Sequence, residues 1–379
     1  IVHTLSREGA LHDLDNNEVP DDVPVIGRNV PPGRVAQQTA TGPWAPEWVA
    51  NMVDEKPLPF SMTCGYKEWG HHARNRLWRR TYLDENYGLA STDLHWGVVQ
   101  VLGQWRRNAD QPVSRIQEMG TFMIRCGINR TRLVNSHSGW MPSQGNLAAF
   151  QHKNRMLAVG SPYRLGGKKQ VKSLQTTVGF FNYQDPPTWE IYVDGEPVEE
   201  LPFTAQHGRR IAIRDGATYI GLVPLPGGPL ANTDRVVLEP GTEQTGYPDK
   251  VKLTPALVID SYSYLPEQPE EKTPEEAIDA LIEKEKKSTG TPGPDWKTLD
   301  HAYSGFAVEM ANAGDYESFD AFQQHLREAN ITTRWEAEKK TVHVSWQSDG
   351  TSMEAGVRTD YEKGKSSPRC WAYRRVDGE

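Results

Sequence analysis

The sequence predicts a mainly β protein, a large antiparallel β-sandwich (super-sandwich) with a few peripheral helices. Two observations lead to this prediction. Between residues 60 and 265, short runs rich in β-branched and aromatic residues follow one another, and several of them alternate apolar with polar positions. Helical segments that would cross over between parallel strands are missing from this stretch, so we expect the strands to pair antiparallel.

The chain divides into four segments by composition. Residues 1–59 are rich in proline and are expected to form an extended segment that wraps over another surface. Residues 60–265 carry the sandwich, and residues 266–300 form a charged linker with one helix. Residues 301–379 return to strands, with one helix at 317–329, and are expected to complete or extend the sandwich.

Turn-forming pairs separate the candidate strands. The clearest hairpin is predicted around Asp215-Gly216, and a second Asp-Gly pair, Asp194-Gly195, follows another β-rich run. The candidate strands are 60–66, 76–83, 95–106, 118–127, 154–161, 174–182, 189–195, 210–215, 218–225, 234–239 and 256–264, followed by 304–312, 331–338, 340–348, 352–360 and 370–376.

The helix predicted at 317–329 begins near Ser318. It places Phe319, Phe322 and Leu326 on one face. We therefore expect it to pack on a sheet.

Composition excludes some classes of protein. The net charge of −8, with basic residues scattered along the chain, gives no reason to expect nucleic acid as a partner. The chain has no apolar run of the ~20 residues that a membrane helix needs, so no membrane partner is expected. Cys64, Cys126 and Cys370 are too few and too widely spaced for a disulfide framework or a metal site. The chain begins at Ile1 without a signal peptide and ends just after a strand-like run, so we expect a piece of a longer or processed polypeptide.

The first candidate for a functional site is the stretch "TYLDENYGLASTDLHWG" (81–97), which follows the basic segment "RNRLWRR". It has no clean period, and we interpret it as a strand end, a turn around Gly88 and the start of the next strand. The stretch and the basic segment before it contain every residue type that elimination on an acidic sugar requires. These are a base to remove the proton at C5, an acid to protonate the leaving oxygen and a cation to neutralise the carboxylate. The alternative is that the tyrosines belong to the core. The candidates here are Arg80, Asn86, Tyr87, His95 and Trp96.

The second candidate is residues 135–159. Its first half is rich in Ser and Gly and predicts a long loop, and its second half predicts a strand that begins near His152. A strand that starts in solvent is the alternative interpretation. The candidates are His137, Trp140, His152, Asn154 and Arg155.

Metal binding is not predicted. His71 and His72 are adjacent, and neighbouring residues of a strand point to opposite faces. The sequence also has no nucleotide-binding fingerprint, and it does not identify a cofactor.

Several phrases of the sequence resemble a known group of proteins. They are "RRTYLDENYGLAS" (79–91), "VVQVLGQWRR" (98–107), "FQHKNRMLAV" (150–159), "FFNYQ" (180–184) and "WEIYVDGE" (189–196). They are similar to the β super-sandwich portion of (α/α)-toroid polysaccharide lyases, the heparinase II/III-like and chondroitin AC lyase-like enzymes. The resemblance implies a secreted or periplasmic protein that acts on an acidic polysaccharide, with a substrate cleft between the sandwich and a helical toroid. It also implies that a catalytic histidine of the sandwich would be His137 or His152.

The toroid itself is missing from this sequence. Three hypotheses follow. In the first, the chain is the sandwich part of a polysaccharide lyase or glycoside hydrolase that shares its catalytic groups with a helical domain or a neighbouring chain. Its catalytic residues would be Tyr87, His95, His137 and His152, and its substrate-binding residues would be Arg80, Asn86, Trp96, Trp140, Asn154 and Arg155.

The second hypothesis is a non-catalytic sandwich that binds an oligosaccharide or braces another domain. It would be marked by a row of exposed aromatic rings from Trp96, Trp105, Trp140 and Trp189. The third is an assembly protein whose proline-rich segment embraces another chain.

Overall fold

The computed structural model describes residues 57–67, 76–94, 98–106, 119–128, 135–136, 139–140, 146–161, 174–181, 189–225, 235–241, 256–264, 303–339, 341–358 and 375–377. The proline-rich segment up to residue 56, the linker helix, the histidine pair at 71–72 and the run 370–374 lie outside the described residues.

The strands, in chain order, are β1 (Phe60–Lys67), β2 (Arg76–Leu83), β3 (Tyr87–Leu94), β4 (Val98–Arg106), β5 (Met119–Ile128), β6 (Asn135–Ser136), β7 (Gly139–Trp140), β8 (Asn146–His152), β9 (Arg155–Ser161), β10 (Leu174–Phe181), β11 (Glu190–Val193), β12 (Glu196–Pro197), β13 (Phe203–Ala205), β14 (Ile211–Asp215), β15 (Thr218–Leu225), β16 (Arg235–Pro240), β17 (Leu257–Tyr264), β18 (Ser304–Asn312), β19 (Asn330–Glu336), β20 (Thr341–Ser348), β21 (Thr351–Arg358) and β22 (Arg375–Asp377). A 3₁₀ turn (Ala313–Asp315) and the helix α1 (Phe319–Glu328) lie between β18 and β19.

Two large sheets form a sandwich. One has nine strands in the order β1-β2-β3-β4-β5-β10-β17-β16-β13, and the other has seven in the order β12-β11-β14-β15-β18-β9-β8. Neighbouring strands pair antiparallel in both sheets, as in β10 with β5 and β15 with β18. The predicted mainly β antiparallel sandwich is therefore confirmed.

A third layer covers the outer face of the seven-stranded sheet. Part of this layer is the four-stranded sheet β19-β20-β21-β22, and part is α1. The seven-stranded sheet thus packs against apolar side chains on both faces, which explains why every residue of β15 and of β18 is buried. Because both faces of such a strand are buried, its sequence is a nearly continuous apolar run, such as "TYIGLVPL" in β15.

The two Asp-Gly pairs occupy different positions in their turns. Asp194 and Gly195 both have positive φ, as expected for a two-residue hairpin between β11 and β12. The hairpin between β14 and β15 is also confirmed, but Asp215 pairs with Thr218, so Gly216 and Ala217 are the central residues of its turn. The carboxylate of Asp215 instead accepts a hydrogen bond from Trp105 Nε1 at 2.9 Å, across the sandwich.

The turn predicted around Gly88 is wrong. Residues 84–86 form the turn, and Gly88 lies inside β3, opposite Leu83 of β2. Tyr87, Leu89 and Ser91 of β3 are buried, and the residues between them are half-buried. This period of two was hidden because glycine and alanine, at positions 88 and 90, have low strand propensity.

The strand start predicted at His152 is also wrong. His152 is the last residue of β8 and pairs with Arg155, the first residue of β9, across a tight turn. Lys153 in that turn has a positive φ of 51°, a conformation that side-chain-bearing residues seldom adopt. The phrase "FQHKNRMLAV" is therefore a hairpin.

Helix α1 agrees with its prediction. The hydroxyl of Ser318 accepts a hydrogen bond from the amide of Ala321 and caps the helix. Phe319, Phe322 and Leu326 are buried against the outer face of the seven-stranded sheet. Gly221 of β15 permits this close packing, since a Cβ atom there would lie 2.5 Å from Leu326 Cδ2.

Candidate functional site

Three of the predicted site residues, His95, Trp96 and His137, lie outside the described residues. The backbone of Trp140 forms part of β7, but its side chain is outside the described part. Arg80 is half-buried on β2, opposite Ser91, and makes contacts within the protein.

Tyr87 lies in the core between the two sheets and is 5% exposed. Its hydroxyl donates a hydrogen bond to Asp84 Oδ2 at 3.4 Å, and the Tyr82 hydroxyl donates to the same atom at 3.0 Å. Burial, together with neighbouring negative charge, raises the pKa of both phenols well above the ordinary value. A phenol in this environment stays protonated at neutral pH, which does not favour Tyr87 as a base.

The structure brings the two candidate stretches to one end of the sandwich. Asn86 donates hydrogen bonds to Asn312 Oδ1 from its backbone amide at 3.3 Å and from its side chain at 3.1 Å. Asn154 Nδ2 donates to the carbonyl of Met310 at 2.9 Å, two residues earlier on β18. Residues 84–86, 152–155 and 309–316 form what we call the polar end. Within it, both asparagines hold the end of β18.

Arg155 is the centre of a compact ion-pair cluster at the polar end. Its Nε atom lies 3.1 Å from Glu309 Oε1, and its Nη2 lies 2.6 Å from Asp349 Oδ2. His325 Nε2 lies 3.0 Å from Glu309 Oε2. The guanidinium also sits 5.5 Å from the ring centre of Trp346. We call Arg155, Glu309, His325 and Asp349 the Arg155 cluster.

The cluster joins α1 and the four-stranded sheet of the outer layer to the sandwich. Arg155 begins β9, Glu309 lies on β18, His325 lies on α1 and Asp349 lies in the turn between β20 and β21. The hydrogen bond to Glu309, together with the charges of both carboxylates, raises the pKa of His325 against the effect of burial. The cluster is therefore mainly a brace, and sequence reasoning found only Arg155 because its partners are distant in the chain.

Trp105 and Trp189, the two tryptophans of the expected row whose side chains the structure describes, do not form an exposed surface. Trp105 is 1% exposed in the core, where its ring lies against Phe122 and Phe180. Trp189 is partly buried against the same core. The prediction that Trp105 belongs to an exposed aromatic row is therefore wrong.

A cleft of about 510 Å³ lies where the edges of the two sheets approach each other. One wall comes from β11 and β12 of the seven-stranded sheet, and the other comes from β13 and β16 of the nine-stranded sheet. Its lining residues are Val193, Glu196, Phe203, Thr204, Ala205, Gln206, Arg209 and Arg235. We call it the edge cleft.

The two arginines of the edge cleft differ in their partners. Arg209 Nη1 lies 2.6 Å from Asp194 Oδ2, so its charge is largely neutralised. The Nε atom of Arg235 is buried and has no hydrogen-bond partner among the described residues. A buried N–H donor without an acceptor is costly, and an anionic ligand that drew the half-buried Arg235 side chain toward the cleft would relieve this cost. Sequence reasoning missed this cleft because its residues come from four short strands that meet only at the sheet edges.

Within the described ranges, no group of three or more His, Cys, Asp or Glu side chains is arranged to hold a metal ion. No helix in the same part of the chain is long and apolar enough to cross a membrane.

Comparisons of the chain with protein-family models, with curated proteins and with solved structures found no match.

Proposed function

We propose that this chain is the β-sandwich part of a carbohydrate-active protein and that it binds an acidic oligosaccharide in the edge cleft. The observation that carries the proposal is that Arg235 lines the cleft without an ion pair to any described carboxylate, and that its Nε–H has no acceptor among the described residues. A carboxylate of the sugar would pair with the guanidinium group of Arg235, and charge-assisted hydrogen bonds of this kind are among the stronger ones in proteins.

The remaining lining of the edge cleft also suits a sugar. Its volume falls within the range of about 300–1,000 Å³ that is common for ligand sites. Thr204 and Gln206 are exposed and offer a hydroxyl and an amide, whereas Phe203 offers an apolar surface. The combination of one apolar surface with a few polar groups is typical of small-molecule sites.

The polar end is less suited to an acidic ligand. The carboxylates of Asp84, Glu85, Glu309 and Asp315 outnumber the cations of Lys153 and Arg155 there. Arg155 is also already paired with carboxylates. An anionic sugar would meet a net negative field at that end, whereas Arg209 and Arg235 balance Asp194 and Glu196 at the edge cleft, so the charge distribution favours the edge cleft.

The proposal includes a lyase reaction whose catalytic groups are supplied in part by another domain or chain. Among the described side chains, burial raises the pKa of Tyr82, Tyr87 and Tyr316, and His325 is paired with Glu309. None of these four side chains offers a free base. The catalytic groups would then come from a helical toroid domain or a neighbouring chain, as the resemblance implies, and fold alone does not decide this.

Calorimetric titration tests the binding proposal. We expect saturable binding of a galacturonate oligomer and no binding of a galactose oligomer of equal length. Arg235→Ala should weaken binding about tenfold or more, the loss expected for a charge-assisted hydrogen bond. Arg334→Ala is the matched control, because Arg334 is an exposed arginine on β19, away from the cleft. Equal affinity of Arg235→Ala and the unmodified chain would remove the basis of the proposal.

The elimination step needs a separate experiment on the complete natural polypeptide. A lyase acting on uronate polymers produces a C4–C5 double bond that absorbs in the ultraviolet. Absorbance that grows with time supports the shared-site proposal. If binding is observed but no absorbance develops with a panel of uronate polymers, the chain is a binding module only.

A further inference from the structure

Helix α1 contacts the edge cleft region through its C-terminal turn. Arg210 Nε donates a hydrogen bond to the carbonyl of Leu326 at 3.2 Å, and its Nη2 donates to the carbonyl of Ala329 at 3.0 Å. Its Nη1 donates to the carbonyl of Gly208. The last carbonyls of a helix have no partners within the helix and carry partial negative charge, so a guanidinium is well suited to cap them.

The same arginine is tied to the rim of the cleft. The backbone amide of Arg210 donates to Asp194 Oδ1 at 2.7 Å, and Arg209 Nη1 donates to Asp194 Oδ2 at 2.6 Å. Gly195, next to Asp194, packs so closely on α1 that a Cβ atom there would lie 2.8 Å from Arg327 Nη1. The turn that carries Asp194 therefore rests on the helix, and Asp194 in turn fixes Arg209.

A second attachment of α1 is at the Arg155 cluster. The charged and titratable groups that face His325 are Glu309 from β18, Arg155 from β9, Asp349 from the turn between β20 and β21, and Tyr316 from the segment before the helix. Protonated His325 is attracted by the two carboxylates and repelled by the single guanidinium. Its protonation thus strengthens this attachment of the helix.

We propose that α1 positions the rim of the edge cleft, that Arg210 and His325 are the positioning residues at its two attachments, and that ligand binding in the cleft therefore weakens when either attachment is lost. This inference rests on the proposed function of the cleft. Neither residue lines the cleft, so each acts through the helix and through the Asp194 turn.

A pH profile of binding separates this role from general structural support. The affinity for the galacturonate oligomer should fall about fivefold or more between pH 6 and pH 8, a coupling of ordinary size. The ligand carboxylates stay ionised over this range. His325→Gln should bind with the weaker affinity at both pH values, because glutamine is neutral throughout.

His207→Gln is the matched control. His207 is half-buried beside Gln206 of the cleft and contacts Ser261 Oγ at 3.3 Å. This variant should keep the full pH dependence. If His207→Gln abolishes the dependence and His325→Gln retains it, the positioning role of α1 is wrong.

A measurement without ligand tests the role of α1 independently of the proposed function. Hydrogen exchange at the amide of Asp194, which donates to the carbonyl of Arg210 at 2.8 Å, should become about tenfold faster in Arg210→Ala. His325→Gln should produce a smaller change in the same direction. Unchanged exchange at Asp194 in both variants would overturn the inference. Absence of ligand binding at either pH, with faster exchange in both variants, would instead remove only the proposed function.

Discussion

Replacing Glu309 by glutamine should destabilise the protein far more than replacing Asp349 by asparagine. Both carboxylates contact Arg155, and the contact of Asp349 is the shorter one, 2.6 Å against 3.1 Å. Exposure decides the outcome, because Glu309 is 1% exposed and Asp349 is 61% exposed. Removing one partner of a buried pair costs about 3–5 kcal/mol, whereas an exposed pair contributes about 0.2–1 kcal/mol.

The similarity of glutamine to glutamate places the expected loss of stability near the lower limit of that range. Glutamine has the same size and keeps one acceptor oxygen, so we expect Glu309→Gln to cost about 3 kcal/mol in free energy of unfolding. Asp349→Asn should cost less than about 1 kcal/mol. Urea unfolding of the full chain at pH 6, followed by tryptophan fluorescence, measures both. If the two variants lose equal stability, the explanation by burial is refuted.

Three further predictions concern the helix and the core. The hydrogen bond to Glu309 raises the pKa of His325, so the folded state binds the imidazole proton more tightly than the unfolded state does. The stability that this proton contributes is fully present below about pH 6.5, the ordinary pKa of histidine. It is lost as pH rises through the raised pKa of the folded state. Thermal unfolding should show a decline between pH 6 and pH 8 that is absent in His325→Gln. Gly221→Ala should cost about 1–3 kcal/mol, because its new Cβ would meet Leu326, and urea unfolding measures the loss. Trp105→Phe removes the indole donor from the buried carboxylate of Asp215 and should also cost about 1–3 kcal/mol; a double-mutant cycle with Asp215→Asn should give a coupling energy of that order, and additive losses would contradict the pairing.

The strand pattern of this chain was predictable wherever alternation or apolar runs were clear. The hairpin of β14 and β15 and the start of α1 at Ser318 follow from local turn and capping chemistry. Strand β3 was missed because Gly88 and Ala90, which lie between the buried Tyr87, Leu89 and Ser91, are weak strand formers. The covering layer was not predictable, since nothing local indicates which outer face α1 will cover.

The functional sites were harder to predict than the strands. Arg155 was identified as a candidate, but its partner Glu309 lies in an apolar run and is 154 residues away along the chain. The edge cleft depends on sheet order, which brings β12 of one sheet near β13 and β16 of the other. No local pattern indicates that Arg235 would be left without a partner there.

Hydrogen exchange with and without a galacturonate oligomer tests the central proposal most directly, because it locates the ligand. The proposal predicts slower exchange at residues 193–206 and 235–237, which form the walls of the edge cleft, and unchanged exchange at the polar end. Protection at residues 84–86 and 152–155, with none at the cleft, would contradict it.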